Sequence, residues 1–347
     1  MNAMLDTPQT AANPVIAGNN LVKEFPVRSK GILRRKVGAV HAVSGVSLEI
    51  GANETLALVG ESGCGKSTTA RLMMNLIQPT SGEILYEGRD LTKLSRNQMR
   101  PIRRDIQLVF QDPMASLDPR MTVFEIIAEP LRVHGLFKNG GRDRVNSLIE
   151  IVGLNPEHRN RFPHEFSGGQ RQRIGIARAL ALQPRVLMLD EPVSALDVSI
   201  QAGVINLLED LQDELGLSYL FVSHDLSVVR HIADKVAVMY LGKIVEEGTT
   251  DQLFAGPAHP YTQALMSAIP LPDPRKERTR ERIVLQGDVP SPSNPPSGCR
   301  FRTRCPLFKE LPESDQRKCI DIEPLLRTDH DGLTRAACHF AKKKQLV

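Results

Sequence analysis

The chain has 347 residues, enough for one domain of about 250 residues and a smaller appendage. Hydrophobic residues make up 41% of it and charged residues 24%, which is typical of a globular protein and excludes a disordered or fibrous one. The net charge of +4 is too small to indicate a nucleic-acid partner.

Three segments bear on how the protein could meet a membrane. Residues 1–20 lack a basic segment followed by an apolar one, so we expect no secretion signal and a cytoplasmic location. A basic run at residues 28–36 predicts either a solvated loop or a contact with anionic lipid headgroups. Residues 252–272 are the longest stretch without Asp, Glu, Lys or Arg, but their prolines exclude a membrane-spanning helix. Any role at a membrane is therefore expected to require partner subunits.

Strand and helix patterns alternate up to residue 250. The strand-like runs are residues 40–50, 54–60, 185–191 and 218–225, and helical patterns begin at Lys66 and cover 200–215. This alternation predicts an α/β fold in which helices cover a parallel sheet. Residues 112–181 are mostly helical, and we interpret them as a helical subdomain inserted into that fold.

A glycine-rich loop follows the second of these strands. Its sequence, GESGCGKST at residues 60–68, matches the phosphate-loop pattern G-x-x-x-x-G-K-[ST] and lies between a predicted strand and a predicted helix. Glycines let successive backbone N–H groups turn towards a polyphosphate, and the helix N-terminus adds its positive dipole end. The predicted nucleotide-binding residues are Gly60, Glu61, Ser62, Gly63, Cys64, Gly65, Lys66, Ser67 and Thr68.

Individual roles within this loop follow from side-chain chemistry. Lys66 is expected to reach the β- and γ-phosphates, Ser67 to bind Mg²⁺ and Thr68 to contact the α-phosphate. Cys64 is expected to be a small filler and not a nucleophile.

Two carboxylates end the strand-like run VLMLDE at residues 186–191. Taken alone, the pair could be two solvated acids. Behind a phosphate loop, Asp190 is expected to hold Mg²⁺ through water, and Glu191 to polarise the attacking water as general base.

The segment FSGGQRQRIGIARAL at residues 166–180, together with the phosphate loop and LDEP, resembles the signature of ATP-binding-cassette (ABC) ATPases from residue 20 to about 250. The resemblance implies an ABC nucleotide-binding domain with a mixed sheet and a helical subdomain. It also implies roles for further residues: Ser167, Gly168, Gly169 and Gln170 in the signature motif, Gln111 in the loop that senses Mg²⁺ and water, Asp197 in the loop that crosses the dimer interface, His224 as the switch histidine and, by position, Phe25 on adenine. Glu191, His224 and Gln111 are the predicted catalytic residues.

In this family the phosphate loop of one chain and the Ser-Gly-Gly helix of another clamp the same ATP. The chain has one copy of each motif. The resemblance therefore implies that a monomer is inert and that a second cassette completes the site.

The segments HPYTQALMSAIPLPDP at residues 259–274 and GDVPSPSNPPSGCRFRTRCP at 287–306 resemble the C-terminal extension on cassettes of dipeptide and oligopeptide importers. Together with AEPLRVHG at 128–135 and the basic insert before Ala39, they are most similar to the F-type subunit of such importers. The predicted division is a flexible N-terminus at 1–19, an ATPase domain at 20–255 and this extension at 256–347, which its prolines predict to be a separate irregular module. The resemblance implies a heterodimer with a sister ATPase, bound to two membrane permease subunits. An extracytoplasmic solute-binding protein is expected to act indirectly, and nucleic acid is not an expected partner. It implies a peripheral location on the cytoplasmic face of the inner membrane.

Four cysteines lie in this extension, namely Cys299, Cys305, Cys319 and Cys338. No C-x₂-C pair is present, so their spacing alone leaves reduced, half-buried thiols and a metal site both open. The family resemblance favours a [4Fe–4S] cluster, with Zn²⁺ as the alternative. Either metal would stabilise a tail that is too irregular to build its own core.

Other functions remain to be compared with peptide import. The same type of subunit could drive the transport of a nickel complex, glutathione or an oligosaccharide. A soluble ABC ATPase that acts on nucleic acid or the ribosome typically has two cassettes or a long coiled-coil insertion, and this sequence has neither. A redox sensor built on the tail cysteines is a third alternative.

Overall fold

The computed structural model describes residues 13–28, 36–270, 274–279, 282–328 and 334–345. Most of the basic run at 28–36 and most of the predicted flexible N-terminus lie outside these residues. Within them, the strands are β1 (Ile16–Arg28), β2 (Lys36–Ile50), β3 (Thr55–Val59), β4 (Ser81–Tyr86), β5 (Arg89–Asp90), β6 (Ile106–Val109), β7 (Val186–Asp190), β8 (Ser218–Ser223), β9 (Lys235–Tyr240), β10 (Lys243–Thr249), β11 (Arg327–Thr328) and β12 (Arg335–Ala336).

The helices of the same residues fall into three groups. In the first part of the chain they are α1 (Lys66–Met73) and α2 (Arg96–Asp105), and in the helical subdomain α3 (Pro113–Ser116), α4 (Val123–Val133), α5 (Gly141–Ile151) and α6 (Gly168–Leu180). The remainder are α7 (Val198–Leu215), α8 (Leu226–Ile232), α9 (Thr250–Ala255), α10 (Pro260–Ser267), α11 (Pro274–Thr279), α12 (Pro306–Glu310) and α13 (Glu313–Asp321). Among the described residues, no helix combines the length and apolar character needed to cross a membrane.

The main sheet has the strand order β11-β12-β10-β9-β3-β8-β7-β6, and a smaller antiparallel sheet has the order β2-β1-β4-β5. In the main sheet the strands from β9 to β6 are parallel, while β10 is antiparallel to β9. This confirms the predicted α/β fold with a mixed sheet. Every residue of β3, β7 and β8 is buried, which explains why the middle of each strand is continuously apolar and does not alternate with polar residues.

The helical subdomain lies between β6 and β7. Within it α4 packs against α6, and Ile127 and Leu131 of α4 belong to the same buried cluster as Ile174 and Ala177 of α6. α4 begins at a capping box in which the Thr122 hydroxyl accepts from the amide of Glu125 and the Glu125 carboxylate accepts from the amide of Thr122.

The tail differs from the separate module that its prolines predict. β12 pairs antiparallel with β10, so the tail extends the main sheet at one edge. Tyr261, Met266 and Phe301 belong to the same buried cluster as the strands of the ATPase domain. Prolines exclude long helices, but short segments suffice to carry these apolar anchors. At the other end, β1 begins at Ile16, so the predicted start of the ATPase domain at residue 20 lies inside a strand.

An aromatic cluster forms the contact between the tail and the ATPase domain. The ring of Phe301 lies 5.2 Å from that of Tyr240, 5.4 Å from that of Tyr261 and 5.6 Å from that of His259, measured between centroids. Phe301 is 1% exposed. Because Tyr240 is in β9 and the other three residues are in the tail, the cluster joins the two parts.

Phe301→Ala should lower the free energy of unfolding by about 3–5 kcal/mol, because it leaves a cavity in a buried aromatic cluster. Urea denaturation of the full chain would measure it, with Phe162→Ala, at a side chain 38% exposed, as the matched control. An unchanged transition in Phe301→Ala would show that the tail does not stabilise the domain.

Burial lowers the pKa of His259 to about 3. Its Nδ1 accepts from the amide of Tyr261, and the carboxylate of Glu246 accepts from the amides of Ala258 and His259. The unfolded chain takes up a proton at His259 near pH 6.5 and the folded chain does not, so the unfolded state binds more protons between these values. The contribution of neutral His259 to stability is therefore complete above about pH 6.5 and is lost as the pH falls.

His259→Asn should reduce this acid sensitivity, because Asn keeps a side-chain acceptor at the helix N-cap and does not titrate. Between pH 8 and pH 5 the variant should lose about 2 kcal/mol less unfolding free energy than the wild type. Urea titrations at a series of pH values measure the difference, and parallel curves for the two proteins would contradict the assignment.

Candidate functional site

The phosphate loop joins β3 to α1. Three of its glycines have positive φ, and two of these, Gly60 and Gly65, leave no room for a side chain. A Cβ at Gly60, where φ is 152°, would lie 2.2 Å from the carbonyl oxygen of Met239. A Cβ at Gly65, where φ is 111°, would lie 2.2 Å from the carbonyl oxygen of Ala42. Any side chain at either position would displace the backbone, so the loop depends on glycine at both.

Gly65 is also the N-cap of α1 and offers no side chain to accept hydrogen bonds from the first helical turn. An anion at this helix end would supply the missing acceptor and would meet the positive end of the helix dipole. The loop is therefore suited to phosphate.

Lys66 and Ser67 begin α1 and point in different directions. The ammonium of Lys66 donates to the carbonyl oxygens of Gly60 at 2.8 Å and Glu61 at 3.1 Å, and the residue is 4% exposed. The hydroxyl of Ser67 donates to Oδ1 of Asp190 at 2.8 Å. The lysine thus lies within the loop, and the serine lies beside the carboxylate at the end of β7.

The Ser67 hydroxyl and the Asp190 carboxylate are hard oxygen ligands of the kind that Mg²⁺ takes in phosphoryl-transfer sites. Burial raises the pKa of Asp190, although the hydrogen bond from Ser67 opposes this. A divalent cation would favour the ionised form of this carboxylate. The two residues therefore fit the predicted Mg²⁺ site.

The three predicted catalytic residues meet at one carboxylate. Nε2 of Gln111 donates to Oε2 of Glu191 at 2.9 Å, and Nδ1 of His224 lies 3.3 Å from the same oxygen. The side chain of Glu191 is 12% exposed and that of His224 is 55% exposed. Glu191 is thus held at the rim of the site, with its carboxylate accessible to a substrate water.

Glu191 has a left-handed backbone conformation, with φ of 49°. Its amide donates to the carbonyl oxygen of Val222 in β8 at 3.0 Å, which continues the sheet one residue beyond β7. A non-glycine residue at positive φ costs free energy and persists only where neighbouring contacts hold it, often at functional sites.

The signature segment lies at the start of α6. Ser167 is the N-cap, its hydroxyl accepts from the amide of Gln170 at 3.3 Å, and the Gln170 side chain accepts from the amide of Ser167 at 3.0 Å. Ser167, Gly168 and Gln170 are exposed, whereas Gly169 is buried, and a Cβ there would lie 2.3 Å from Ile200. The motif therefore presents a preformed helix N-terminus on the protein surface.

The loop that contains Asp197 lies beside this segment. A Cβ on Gly168 would lie 3.3 Å from Leu196, and Asp197 is exposed at the N-cap of α7. Val198, next in sequence, is 82% exposed. The signature motif and this loop therefore share one surface that a second chain could cover.

Phe25 and Cys64 differ in exposure. Phe25 is in β1, is 41% exposed and has Nζ of Lys23 at 5.3 Å from its ring centroid. Its role in stacking on adenine stays a prediction. Cys64 is 5% exposed, and burial raises its pKa, so it is a neutral thiol that fills space, in keeping with the predicted filler role.

Two residues that contact the phosphate loop were not among the predicted site residues. The hydroxyl of Tyr261 accepts from the amide of Glu61 at 2.9 Å, and Arg304 donates two hydrogen bonds to the Glu61 carboxylate, at 2.7 and 3.1 Å. Both residues belong to the tail. The sequences HPY and RTRC contain them, but neither pattern by itself indicates a contact with residue 61.

The four tail cysteines line one small cavity together with Phe301, Leu307, Phe308 and Phe340. Burial raises the pKa of Cys299 to about 11 and that of Cys338 to about 12, so without a bound metal these thiols are neutral near pH 7. No group of three or more His, Cys, Asp or Glu side chains among the described residues is arranged to hold a metal ion. The structure therefore brings the predicted ligands to one cavity but does not support a formed [4Fe–4S] or zinc site.

Two family profiles match separate parts of the chain. The family described as "ABC transporter" matches residues 43–194, and the family described as "Oligopeptide/dipeptide transporter, C-terminal region" matches residues 245–310. The first match contains the phosphate loop, Gln111, the signature segment and Glu191, and the second contains Tyr261 and Arg304.

Curated relatives match over most of their length. The chain is 56% identical over 306 residues to the oligopeptide transport ATP-binding protein AppF of Bacillus subtilis, which covers 87% of this chain and 93% of AppF. It is 57% identical over 298 residues to the oligopeptide transport ATP-binding protein OppF of Escherichia coli, which covers 82% of this chain and 89% of OppF.

Solved structures share the fold of the ATPase part. The dimeric ATP-binding cassette MJ0796, in a post-hydrolysis state with ADP and Pi, superposes with a TM-score of 0.59 at 30% identity and covers 68% of this chain and 98% of that one. CbiO1 from Clostridium perfringens, part of the ABC transporter complex cbiONQ, superposes with a TM-score of 0.61 at 29% identity and covers 70% of this chain and 92% of that one.

Proposed function

The chain belongs to the ABC ATPases, within the group of oligopeptide transport ATP-binding proteins, and we propose that it hydrolyses ATP to drive the import of short peptides through partner permeases. The observation that carries this proposal is the convergence of Gln111 and His224 on the carboxylate of Glu191, next to the Ser67–Asp190 pair. The relatives named above are oligopeptide transport proteins, which favours peptides over nickel complexes, glutathione or oligosaccharides as cargo.

In the proposed reaction, a water attacks the γ-phosphorus of ATP and the bond to the β-phosphate oxygen breaks, giving ADP and phosphate. Glu191 takes the proton of this water, while Gln111 and His224 hold the carboxylate in place. Lys66 moves from the carbonyl oxygens of Gly60 and Glu61 to the phosphates. Ser67 and Asp190 would hold Mg²⁺, which when bound offsets the negative charge of the phosphates.

A second cassette completes the site in this proposal. The signature residues Ser167, Gly168 and Gln170 are exposed, and an exposed helix N-terminus can bind the triphosphate held by another chain. The dimeric cassette MJ0796 supports such an arrangement. We propose a heterodimer with a sister ATPase, bound to two integral membrane permeases at the cytoplasmic face of the inner membrane and served indirectly by an extracytoplasmic solute-binding protein.

Glu191→Gln should reduce ATP hydrolysis by the complete transporter about 10²- to 10⁴-fold, because an amide cannot accept the proton. ATP binding should change by less than about threefold, since the variant keeps the shape of the side chain. A coupled phosphate-release assay and an ATP-binding assay measure the two effects. Glu150→Gln, at an exposed residue of α5, is the matched control, and normal hydrolysis by the Glu191 variant would refute the general-base role.

We further propose that Cys299, Cys305, Cys319 and Cys338 are ligands of a [4Fe–4S] cluster, with Zn²⁺ as the alternative. Their position around one cavity supports this, because four thiols are a full ligand set for either metal. Binding would displace the thiol protons that burial retains. In this proposal the metal stabilises the tail.

Iron and zinc analysis of protein purified without oxygen tests the metal proposal. Wild-type protein should contain about four iron atoms and absorb visible light, or contain one zinc and be colourless. Cys319→Ser should lose the metal, whereas Cys64→Ser, which alters the cysteine outside the cavity, should retain it. A metal-free wild-type protein with a folded tail would exclude both metals.

A further inference from the structure

Two residues of the tail hold the second residue of the phosphate loop. Glu61 donates its amide hydrogen to the hydroxyl of Tyr261, and its carboxylate accepts two hydrogen bonds from the guanidinium of Arg304. The carbonyl oxygen of the same residue accepts from Lys66. The amide and side chain of Glu61 are therefore held by the tail, and its carbonyl by the lysine that is expected to reach ATP.

The ion pair between Glu61 and Arg304 has the features of a strong contact. It is bidentate, and the side chains of Arg304 and Glu61 are 9% and 27% exposed. A planar guanidinium that meets a carboxylate with two hydrogen bonds fixes orientation as well as distance. An exposed pair would be weakened by solvent, but this one is largely shielded from it.

The partners from the tail are themselves rigidly placed. Tyr261 is fully buried and its ring lies 4.8 Å from that of Tyr240 and 5.4 Å from that of Phe301, between centroids. Arg304 is in the same short segment as Phe301, and its amide donates to the carbonyl oxygen of Phe301 at 3.0 Å. A buried aromatic cluster thus fixes both groups that hold Glu61.

We propose that Arg304 is a positioning residue for nucleotide binding: through Glu61 it holds the phosphate loop in the shape that accepts ATP and neutralises a carboxylate that would otherwise repel the triphosphate. The proposal rests on the assignment of residues 60–68 as the nucleotide-binding loop. Removal of Arg304 takes both hydrogen-bond donors from the Glu61 carboxylate beside the loop, so the loss of Arg304 should be more harmful than the loss of the Glu61 charge. The tail thereby becomes part of the nucleotide site.

The test compares ATP binding by full-length variants, measured with a fluorescent methylanthraniloyl-ATP in the presence of Mg²⁺. Arg304→Gln should weaken binding about tenfold, the size expected of a coupled charge pair. Glu61→Gln should weaken it about threefold, because it removes the pair but also the repulsion. The double variant Glu61→Gln/Arg304→Gln should bind no more weakly than Arg304→Gln alone.

The matched control is Arg302→Gln, two residues away. Arg302 donates to the carbonyl oxygen and hydroxyl of Ser297, within the tail. The Arg302→Gln variant should bind ATP as tightly as the wild type does. In the complete transporter, Arg304→Gln should raise KM for ATP about tenfold and leave kcat within about twofold, which a general loss of folded protein would not do.

Three outcomes would overturn the proposal. Wild-type affinity in Arg304→Gln, in an experiment where Lys66→Ala abolishes binding, would show that the loop binds ATP without the tail contact. Additive losses in the double variant would show that Arg304 does not act through Glu61. Normal binding by Lys66→Ala would refute the nucleotide-loop assignment itself, and the inference with it.

Protein folding is checked by the thermal midpoint of each variant. If Arg304→Gln does not fold, Arg304→Lys and Glu61→Gln decide the question, since both keep the tail packed. Arg304→Lys keeps the charge but loses the bidentate geometry. It should therefore weaken ATP binding more than Arg302→Gln does and less than expected for Arg304→Gln. Wild-type affinity in both of these variants would overturn the proposal.

Discussion

The shared carboxyl edge of four parallel strands is the constraint on which the nucleotide site depends. β3, β8, β7 and β6 are neighbours in the main sheet, and parallel pairing places their carboxyl ends side by side. The phosphate loop follows β3, His224 follows β8, Asp190 ends β7 with Glu191 directly after it, and Gln111 follows β6. Residues that are far apart in sequence therefore meet because of strand order, as in other open α/β sheets whose ligands bind at this edge.

The unusual backbone of Glu191, the predicted general base, lies at the same edge. Glu191 bonds through its amide to Val222 of the next strand and has positive φ. This hydrogen bond joins Glu191 to a sheet whose strands are buried over their full length, and such neighbouring contacts are what allow a non-glycine residue to keep positive φ. A stable sheet is thus a condition for the orientation of the one carboxylate that both Gln111 and His224 contact.

The parts of the fold that could be predicted are those with a local signal. β3 and β7 are mostly apolar runs, and the glycines at 60 and 65 occur in the phosphate-loop pattern, which depends on close approach of the backbone. The role of Gln111 came from a family resemblance, since a single glutamine carries no signal of its own. The contact of Arg304 with Glu61 spans 243 positions in sequence and depends on the docking of the tail. No local pattern reports such a pairing, and proline content argued for a tail that stands apart.

The tail packs against the ATPase domain and is not a separate module. Tyr240 of the main sheet, Tyr261 and Phe301 form one aromatic cluster, so the same contacts that bury the tail also orient the groups that reach Glu61. The segment from Cys299 to Cys305 has the thiol cavity at its ends and Arg304 within it. A displacement of this segment would therefore alter both the thiol cavity and the hydrogen bonds from Arg304 to the phosphate loop. Energetic coupling between two sites can be carried by packed side chains and hydrogen bonds, and this segment contacts both the thiol cavity and the phosphate loop.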